Sequence, residues 1–310
     1  MSIGNRVFMK RPMPEQGLLD EFSRIPAANI ADTMGRSCAM NPRIKLMSGA
    51  DKIMVGPALT VKTRAGDNLF IHQALDMALP GDIIVVSNDE DDTRALMGEV
   101  MFTYAQYQRK LGGLVLDGPV RDTDALSKMP LPVYATGSTP GGPHKEGPGE
   151  INIPIACGGI SVNPGDIIVA DMDGIIVIPL KDAPAVLEAA KMFSAQDQKK
   201  VEACRNGTQN RAWVMKKLEA LSRGGEVLPL TRNTWMFMGN YRNAAFSAWL
   251  TGVDSVTLDR LEMYYSLNPG KRPDAVWVGE KNAEYAEEFC TRFGYTGETT
   301  PDGIFLTPDE

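Results

Sequence analysis

Short apolar runs bounded by Gly, Pro and Asp dominate the first two thirds of the chain. Ile83-Ile84-Val85-Val86, Leu114-Val115-Leu116, Ile167-Ile168-Val169-Ala170 and Ile175-Ile176-Val177-Ile178 are continuous rather than alternating. That is the pattern of strands covered on both faces. Residues 55–63 alternate enough for a strand and carry Pro57 near its start, where strands tolerate it. Further short strands are predicted at 131–136, 151–155 and 160–162. Helices are predicted over 15–35, broken by Pro26 and stopped at Gly35, and over 68–79, capped from Gly66-Asp67-Asn68. A third helix is expected from Arg94 to Lys110, with Gly98 and Glu99 in its first turns. Two more, 182–203 and 209–222, are separated by Asn206-Gly207. Pro80-Gly81-Asp82 and Pro164-Gly165-Asp166 are one turn used twice, each opening a buried strand. Many short strands with helices between them, and no G-x-G-x-x-G, predict a compact mixed α/β layered core rather than a dinucleotide domain.

The last third reads differently. Residues 225–310 hold 13 of the 22 aromatic residues and 13 Asp and Glu against 7 Lys and Arg. This break divides the chain into 1–224 and 225–310. Trp235, Phe237, Tyr241, Phe246 and Trp249 form an aromatic stripe read at helical spacing, a core feature more than a ligand box. A turn at Asn268-Pro269-Gly270, a strand at 275–278 and a helix at 281–293 complete a small α/β appendage. A net charge of -7 argues against a protein that works by neutralising nucleic-acid phosphates. No stretch reaches the length of a membrane span, and the N-terminus lacks the apolar core of a signal peptide. The four cysteines have no metal-knuckle spacing and read as free thiols, so the expected location is cytoplasmic.

With only His72 and His144 present, a His-rich zinc site is excluded. His72 lies in a helix-like run and reads as structural; His144 lies in the Gly/Pro-rich loop 137–149, where it could touch a ligand. The carboxylate-dense loop 87–93 reads as a solvated cap, and Asp171-Met172-Asp173-Gly174 as a turn rather than a calcium loop. The strongest candidate is Arg121-Asp122, which follows the strand 114–116 and the turn Asp117-Gly118-Pro119. Arg offers a planar fork to a carboxylate, and Asp a hard oxygen to Mg2+ or Mn2+. The plain alternative is a solvated surface ion pair. A small residue at Gly98 would let a ligand approach backbone amides.

Several motifs occur in one order: Gly66-Asp67-Asn68-Leu69, Pro80-Gly81-Asp82, Ala95-Leu96-Met97-Gly98-Glu99 and Asp117-Gly118-Pro119-Val120-Arg121-Asp122. They continue through the run from Gly142 to Glu150, Cys157-Gly158-Gly159, and Pro164-Gly165-Asp166 to Gly174. Over residues 15–222 this order resembles the RraA-like family of 4-hydroxy-4-methyl-2-oxoglutarate aldolases, oxaloacetate decarboxylases and ribonuclease regulators. The resemblance implies an αββα core resembling the swivelling phosphohistidine domain, assembled as a homotrimer or homohexamer. It implies a divalent-metal-dependent lyase acting on a small 2-oxo acid through a pyruvate enolate. The alternative it carries is a non-catalytic regulator that binds a protein such as a ribonuclease. By resemblance, Arg121 grips the keto-acid end, Asp122 ligates Mg2+ or Mn2+, and Gly98, Val100 and Met101 cradle the pyruvyl carboxylate. Glu99 stands where the aldolases have Asp, so direct and water-mediated metal contact both stay open. A further carboxylate, Asp197 or Glu202, is implied to come from a neighbouring subunit. Residues 225–310 match nothing in that pattern.

Overall fold

The computed structural model describes residues 3–221, 234–239, 246–251, 255–267, 273, 275–279, 283–300 and 303–309. The chain divides into two compact units, Met1–Gln209 and Asn210–Glu310. The compositional boundary between 224 and 225 falls outside the described residues.

The first unit runs α1 (Gln16–Phe22), α2 (Ala27–Thr33), β1 (Lys45–Leu46), β2 (Met54–Thr63), α3 (Leu69–Met77) and β3 (Ile83–Ser87). It continues with α4 (Glu99–Thr103), β4 (Gly113–Asp117), α5 (Thr123–Leu126), β5 (Val133–Ala135), β6 (Gly149–Ile151) and β7 (Ile155–Cys157). It closes with β8 (Ile160–Val162), β9 (Ile167–Asp171), β10 (Gly174–Ile178) and α6 (Ala183–Arg205). The main sheet has the order β1-β5-β4-β3-β2-β9-β10. Strands β2 to β5 are mutually parallel, whereas β9 and β10 join antiparallel. Strand β2 is the spine. Its residues 58–62 pair with β3; on its other edge Met54–Pro57 take β9 and Val61–Thr63 take β6.

The continuous apolar runs are explained by where alternate side chains go. In β3, Ile84 and Val86 join one core with Leu114, Leu116 and the buried faces of α3 and α4, while Ile83 and Val85 join a second. That second core also takes Ile168 and Ala170 of β9 and Ile175 and Val177 of β10, so the sheet curls onto itself. The remaining apolar side chains of β9 and β10, Ile167, Val169, Ile176 and Ile178, face a third core with α1, α2 and α6. Helix, sheet, sheet and helix thus follow in layers, as expected for an αββα core, and each inner strand is wet on neither face.

The doubled turn is a real repeat. Gly81 and Gly165 both take φ of 86°, and Asp82 N–H and Asp166 N–H return to Leu79 O and Asn163 O at 3.1 Å each. Pro followed by a left-handed Gly is the type II turn these residues favour. Each Asp then accepts the N–H of its turn's first residue, at 2.7 Å for Leu79 and 2.8 Å for Asn163.

Two expected elements differ. The helix over 94–110 is confined to α4 and a π-helical turn at Tyr104–Gln108; residues 94–98 run outside it. Ala95 N–H donates to Gly141 O at 2.8 Å and Leu96 N–H to Pro119 O at 2.9 Å, pairings incompatible with a helix there. The strand over 151–155 is broken because Asn152 turns left-handed (φ 58°), separating β6 from β7. At the head of α3 the expected Gly66-Asp67-Asn68 cap is made by Asp67, which takes Leu69 N–H at 2.9 Å, while Asn68 Nδ2 crosses to Leu96 O at 2.8 Å.

The second unit contains α7 (Ala212–Leu221), β11 (Thr234–Gly239), β12 (Phe246–Thr251), α8 (Ser255–Leu267), β13 (Ala275–Gly279), α9 (Ala283–Phe293), β14 (Tyr295–Thr300) and β15 (Gly303–Pro308). Its antiparallel sheet has the order β12-β11-β13-β15-β14. Leu258, Val276, Val278, Phe289 and Leu306 belong to one buried core there, which joins α8 and α9 to the sheet. The helical reading of the aromatic stripe is corrected: Trp235 and Phe237 lie on β11, and Phe246 and Trp249 on the paired β12. Spacing of two in Trp235-x-Phe237 is a strand period. Tyr241 and the turn 268–270 fall outside the described residues. The expected strand and helix at 275–278 and 281–293 are β13 and α9.

Candidate functional site

Three loops leave the C-terminal ends of the adjacent parallel strands β3, β4 and β5, the edge where open α/β sheets gather ligands. They are stitched together by backbone bonds. Arg121 N–H donates to Met97 O at 3.0 Å, Val120 N–H to Gly137 O at 2.9 Å, and Thr139 N–H to Val120 O at 3.0 Å. At β4's own end, buried Asp117 receives the Arg43 guanidinium and Gly158 N–H at 3.0 Å. Burial lifts the Asp117 carboxyl above the usual range, against the pull of Gly158 and Arg43. Burial pushes the neighbouring Cys157 thiol well up.

Arg121 and Asp122 emerge from this frame with nearly half of each side chain exposed. Asp122 sits left-handed (φ 59°, ψ 42°) at the start of α5, a conformation that Asp tolerates better than most residues. The turn brings Asp122 Oδ2 to 2.9 Å from Glu99 N–H, which donates to it, and 3.6 Å from Arg121 Nε. Gly98 lies directly beneath. A Cβ there would collide with Asp122 Oδ2 and press on the Arg121 side chain. An exposed ion pair contributes little to stability, so the close fit of Gly98 is explained by the site rather than by folding.

These groups open on a cleft of about 560 Å³ lined by Glu99, Arg121, Asp122, Thr123, Asp124, Ala125, Ser138, Thr139 and Pro140. Of the residues singled out from sequence, Glu99, Arg121 and Asp122 therefore meet in one place. Gly98 stands behind Asp122. Val100 is exposed on the first turn of α4, and Met101 is buried. Met101 N–H is donated to Gly98 O at 3.0 Å and Glu99 N–H to Asp122. Val100 N–H is the one of these three amides without an acceptor among the described residues. Asp197 and Glu202 are not brought here within the protomer. They line a different groove along α6, where Asn29 Nδ2 lies 3.5 Å from Asp197 Oδ2 and Asn206 Nδ2 3.0 Å from Glu202 Oε1. His144 does not line the cleft. Its backbone knits the loop instead, through N–H to Gly66 O and C=O from Asn68 N–H. His72 lines a separate groove, and burial lowers its pKa, as expected of a structural imidazole.

Sequence reasoning missed Thr123, Asp124, Ser138 and Thr139. The available signal was the Gly-Ser-Thr-Pro run directly after β5, which the parallel pairing of β4 and β5 places beside the Arg121 loop.

A divalent cation fits the donor set. Asp122 offers a hard carboxylate whose Oδ1 has no protein donor among the described residues, and Glu99 and Asp124 stand on the same walls. Among the described residues no group of three His, Cys, Asp or Glu is arranged to hold a metal unaided. That suits Mg2+, which keeps waters and takes one or two protein carboxylates plus substrate oxygens. Also among the described residues, no helix is long and apolar enough to cross a membrane.

The family model RraA-like, described as Aldolase/RraA, matches residues 27–177. A protein of Halalkalibacterium halodurans, provisionally named 4-hydroxy-4-methyl-2-oxoglutarate aldolase, is 37% identical over 189 residues, covering 61% of this chain and 89% of the relative. A solved structure of a Pseudomonas syringae pv. tomato protein shares 24% identity with a TM-score of 0.57, covering 64% of this chain and 96% of that one. The structure of Streptomyces coelicolor RraAS2, described as an unusual member of the RNase ES inhibitor RraA protein family, shares 22% identity with a TM-score of 0.56. It covers 61% of this chain and 98% of that one. The two structures show a common fold.

Proposed function

The chain belongs to the RraA-like family, and from that premise we propose that it is a divalent-metal-dependent lyase releasing pyruvate from a 4-hydroxy-2-oxo acid or from oxaloacetate. The observation that carries the reading is the pairing of Arg121 and Asp122 in an open cleft, over a glycine whose missing side chain leaves room for both.

Arg121 binds and orients the carboxylate of the 2-oxo acid through its guanidinium fork. Asp122 would hold the cation, with Glu99 beside it contributing directly or through a water. When bound, Mg2+ or Mn2+ supplies Lewis acidity at the 2-oxo group, so that C3 can carry the electron pair released by cleavage. The C3–C4 bond breaks toward C3, the C4 hydroxyl loses its proton, and C4 becomes a carbonyl. The cleft carboxylates Glu99 and Asp124 hold the water that accepts that proton. C3 is then protonated to the methyl group of pyruvate. Oxaloacetate shares only the cleavage and the protonation of C3: it has no C4 hydroxyl to deprotonate, and its C4 carboxylate leaves directly as CO2. No Schiff-base lysine lines the described cleft.

Pyruvate release from oxaloacetate and from 4-hydroxy-4-methyl-2-oxoglutarate is the direct test. Exhaustive chelation is expected to abolish it, and Mg2+ or Mn2+ to restore it. Full turnover after chelation would overturn the metal-dependent reading, and absence of pyruvate under every condition would overturn the lyase.

One further carboxylate, Asp197 or Glu202, is assigned to the cleft of a neighbouring subunit in a trimer or hexamer. The second half of α6 supports this, since its residues 191–205 are mostly exposed after the buried anchors Leu187 and Ala190. Light scattering is expected to give a multiple of three chains. An active monomer would remove both residues from the mechanism.

A further inference from the structure

The Arg121 side chain lies against two glycines. A Cβ on Gly98 would stand 3.0 Å from Arg121 Cγ and 2.9 Å from its Nε, and one on Gly142 would stand 3.3 Å from Nη1. Stem and tip thus each rest on bare backbone. The segment before Gly98 is fixed by Arg121 itself, whose N–H donates to Met97 O at 3.0 Å. Gly142, in the loop after β5, is held from residues 94 and 95. Ala95 N–H donates to Gly141 O at 2.8 Å, and Arg94 Nη1 to Gly142 O at 2.9 Å. Arg94 is used differently from the other arginines nearby. Arg11, Arg43 and Arg64 each pair with a carboxylate, whereas among the described residues none lies within ion-pair distance of Arg94. Its stem packs on Gly66, whose Cβ would stand 3.2 Å from Arg94 Cβ and 3.3 Å from Cγ. Gly66 is pinned in turn, donating its N–H to buried Asn88 Oδ1 at 2.9 Å and accepting His144 N–H at 2.8 Å. A packed stem therefore delivers the Arg94 guanidinium to Gly142, and two guanidinium groups meet at one glycine.

We infer that Arg94 is a positioning residue: it holds Gly142 against the tip of Arg121 and so sets the direction of the Arg121 fork. This rests on the reading above, in which Arg121 binds the carboxylate of a 2-oxo acid, and adds to it a residue outside the cleft lining. Direction matters because two parallel hydrogen bonds to a planar carboxylate form only when fork and carboxylate are aligned. Arg121 is nearly half exposed, and an exposed arginine loses rotamer freedom when it binds. A seat at Gly142 removes part of that cost before the substrate arrives. The unpaired charge on Arg94 serves the same end, since repulsion between the two guanidinium groups is relieved when an anion binds at Arg121.

The experiment is a double-mutant cycle on the full-length, Mg2+-loaded protein, read by oxaloacetate turnover and by calorimetric titration with pyruvate. Arg94→Met keeps a stem against Gly66 and deletes the donor to Gly142. It is expected to raise KM for oxaloacetate and Kd for pyruvate by roughly tenfold, the scale of a modest misplacement of a binding group. The effect on kcat is expected to be smaller, and the melting temperature to stay within a few degrees. Arg94→Lys restores a donor and the charge and is expected to recover part of the loss. In an Arg121→Lys background, which has no fork to direct, Arg94→Met is expected to add little. A residue that merely anchors the loop would cost the same in both backgrounds. Equal cost in both, or unchanged KM and pyruvate affinity in Arg94→Met, would overturn the inference while leaving the lyase standing. A parent protein that binds pyruvate but releases none would overturn the lyase, and the ratios of Kd across the cycle would then decide the role of Arg94. A parent that binds no pyruvate would overturn both.

Discussion

Asp122→Asn is expected to lose metal-stimulated turnover and Mg2+ affinity together while the protein melts within a few degrees of the parent. Asparagine is the informative replacement because position 122 is left-handed, which Asn tolerates nearly as well as Asp. Alanine would add backbone strain to the loss of charge and blur the result. The amide can still meet Glu99 N–H through its oxygen, so the local frame survives. What disappears is the anionic ligand. Arg121→Lys is the companion measurement. It keeps the charge but removes the planar fork, and kcat/KM is expected to fall on the order of 100-fold, about 3 kcal/mol in transition-state terms. Neither residue is packed in a core, and the pair is exposed, so a loss of activity accompanied by unfolding would contradict the placement. Normal turnover in Asp122→Asn would make the pair an ordinary surface turn.

The pair itself was readable from sequence, because a short buried strand followed by turn residues fixes where a chain leaves a sheet. The buried strands were readable for a similar reason. Ile83 to Val86 are apolar at every position because they separate two cores, and no helix of so few residues buries all sides. The same continuity misled at Ala95-Leu96-Met97. These three are as buried as a helix core, and pairings with Gly141, Pro119, Arg121 and Asn68, all remote in sequence, hold them extended. Continuous burial alone does not distinguish the two cases. The far wall of the cleft was hidden for another reason. Ser138 and Thr139 come to the site because β5 pairs with β4, and that register is a tertiary fact. In the second unit the spacing of Trp235 and Phe237 held the strand period, but the longer aromatic stripe, read across Tyr241 and the paired strand, suggested a helix.

Gly98→Ala is expected to be the most telling of the small substitutions, because its effect is confined to the site. At φ -141° and ψ -174° the backbone of Gly98 is one that any residue adopts, so an added methyl group introduces no dihedral strain. The clash is instead with Asp122 Oδ2 and with the Arg121 side chain. Relief requires moving the Asp122 carboxylate off Glu99 N–H or turning Arg121 aside, and either displaces a group that must meet the substrate within a fraction of an ångström. Turnover is therefore expected to fall by roughly tenfold to 100-fold, as for other misplacements of reacting groups. Both neighbours are exposed and free to yield, so the melting temperature is expected to change little. Gly66 gives the contrast. Its φ of 66° and the Arg94 side chain packed against it make Gly66→Ala strained in both backbone and contact, so that variant should lose stability first. A Gly98→Ala protein with unchanged kcat/KM would show that the observed seat of Asp122 against Glu99 is not the one used in catalysis.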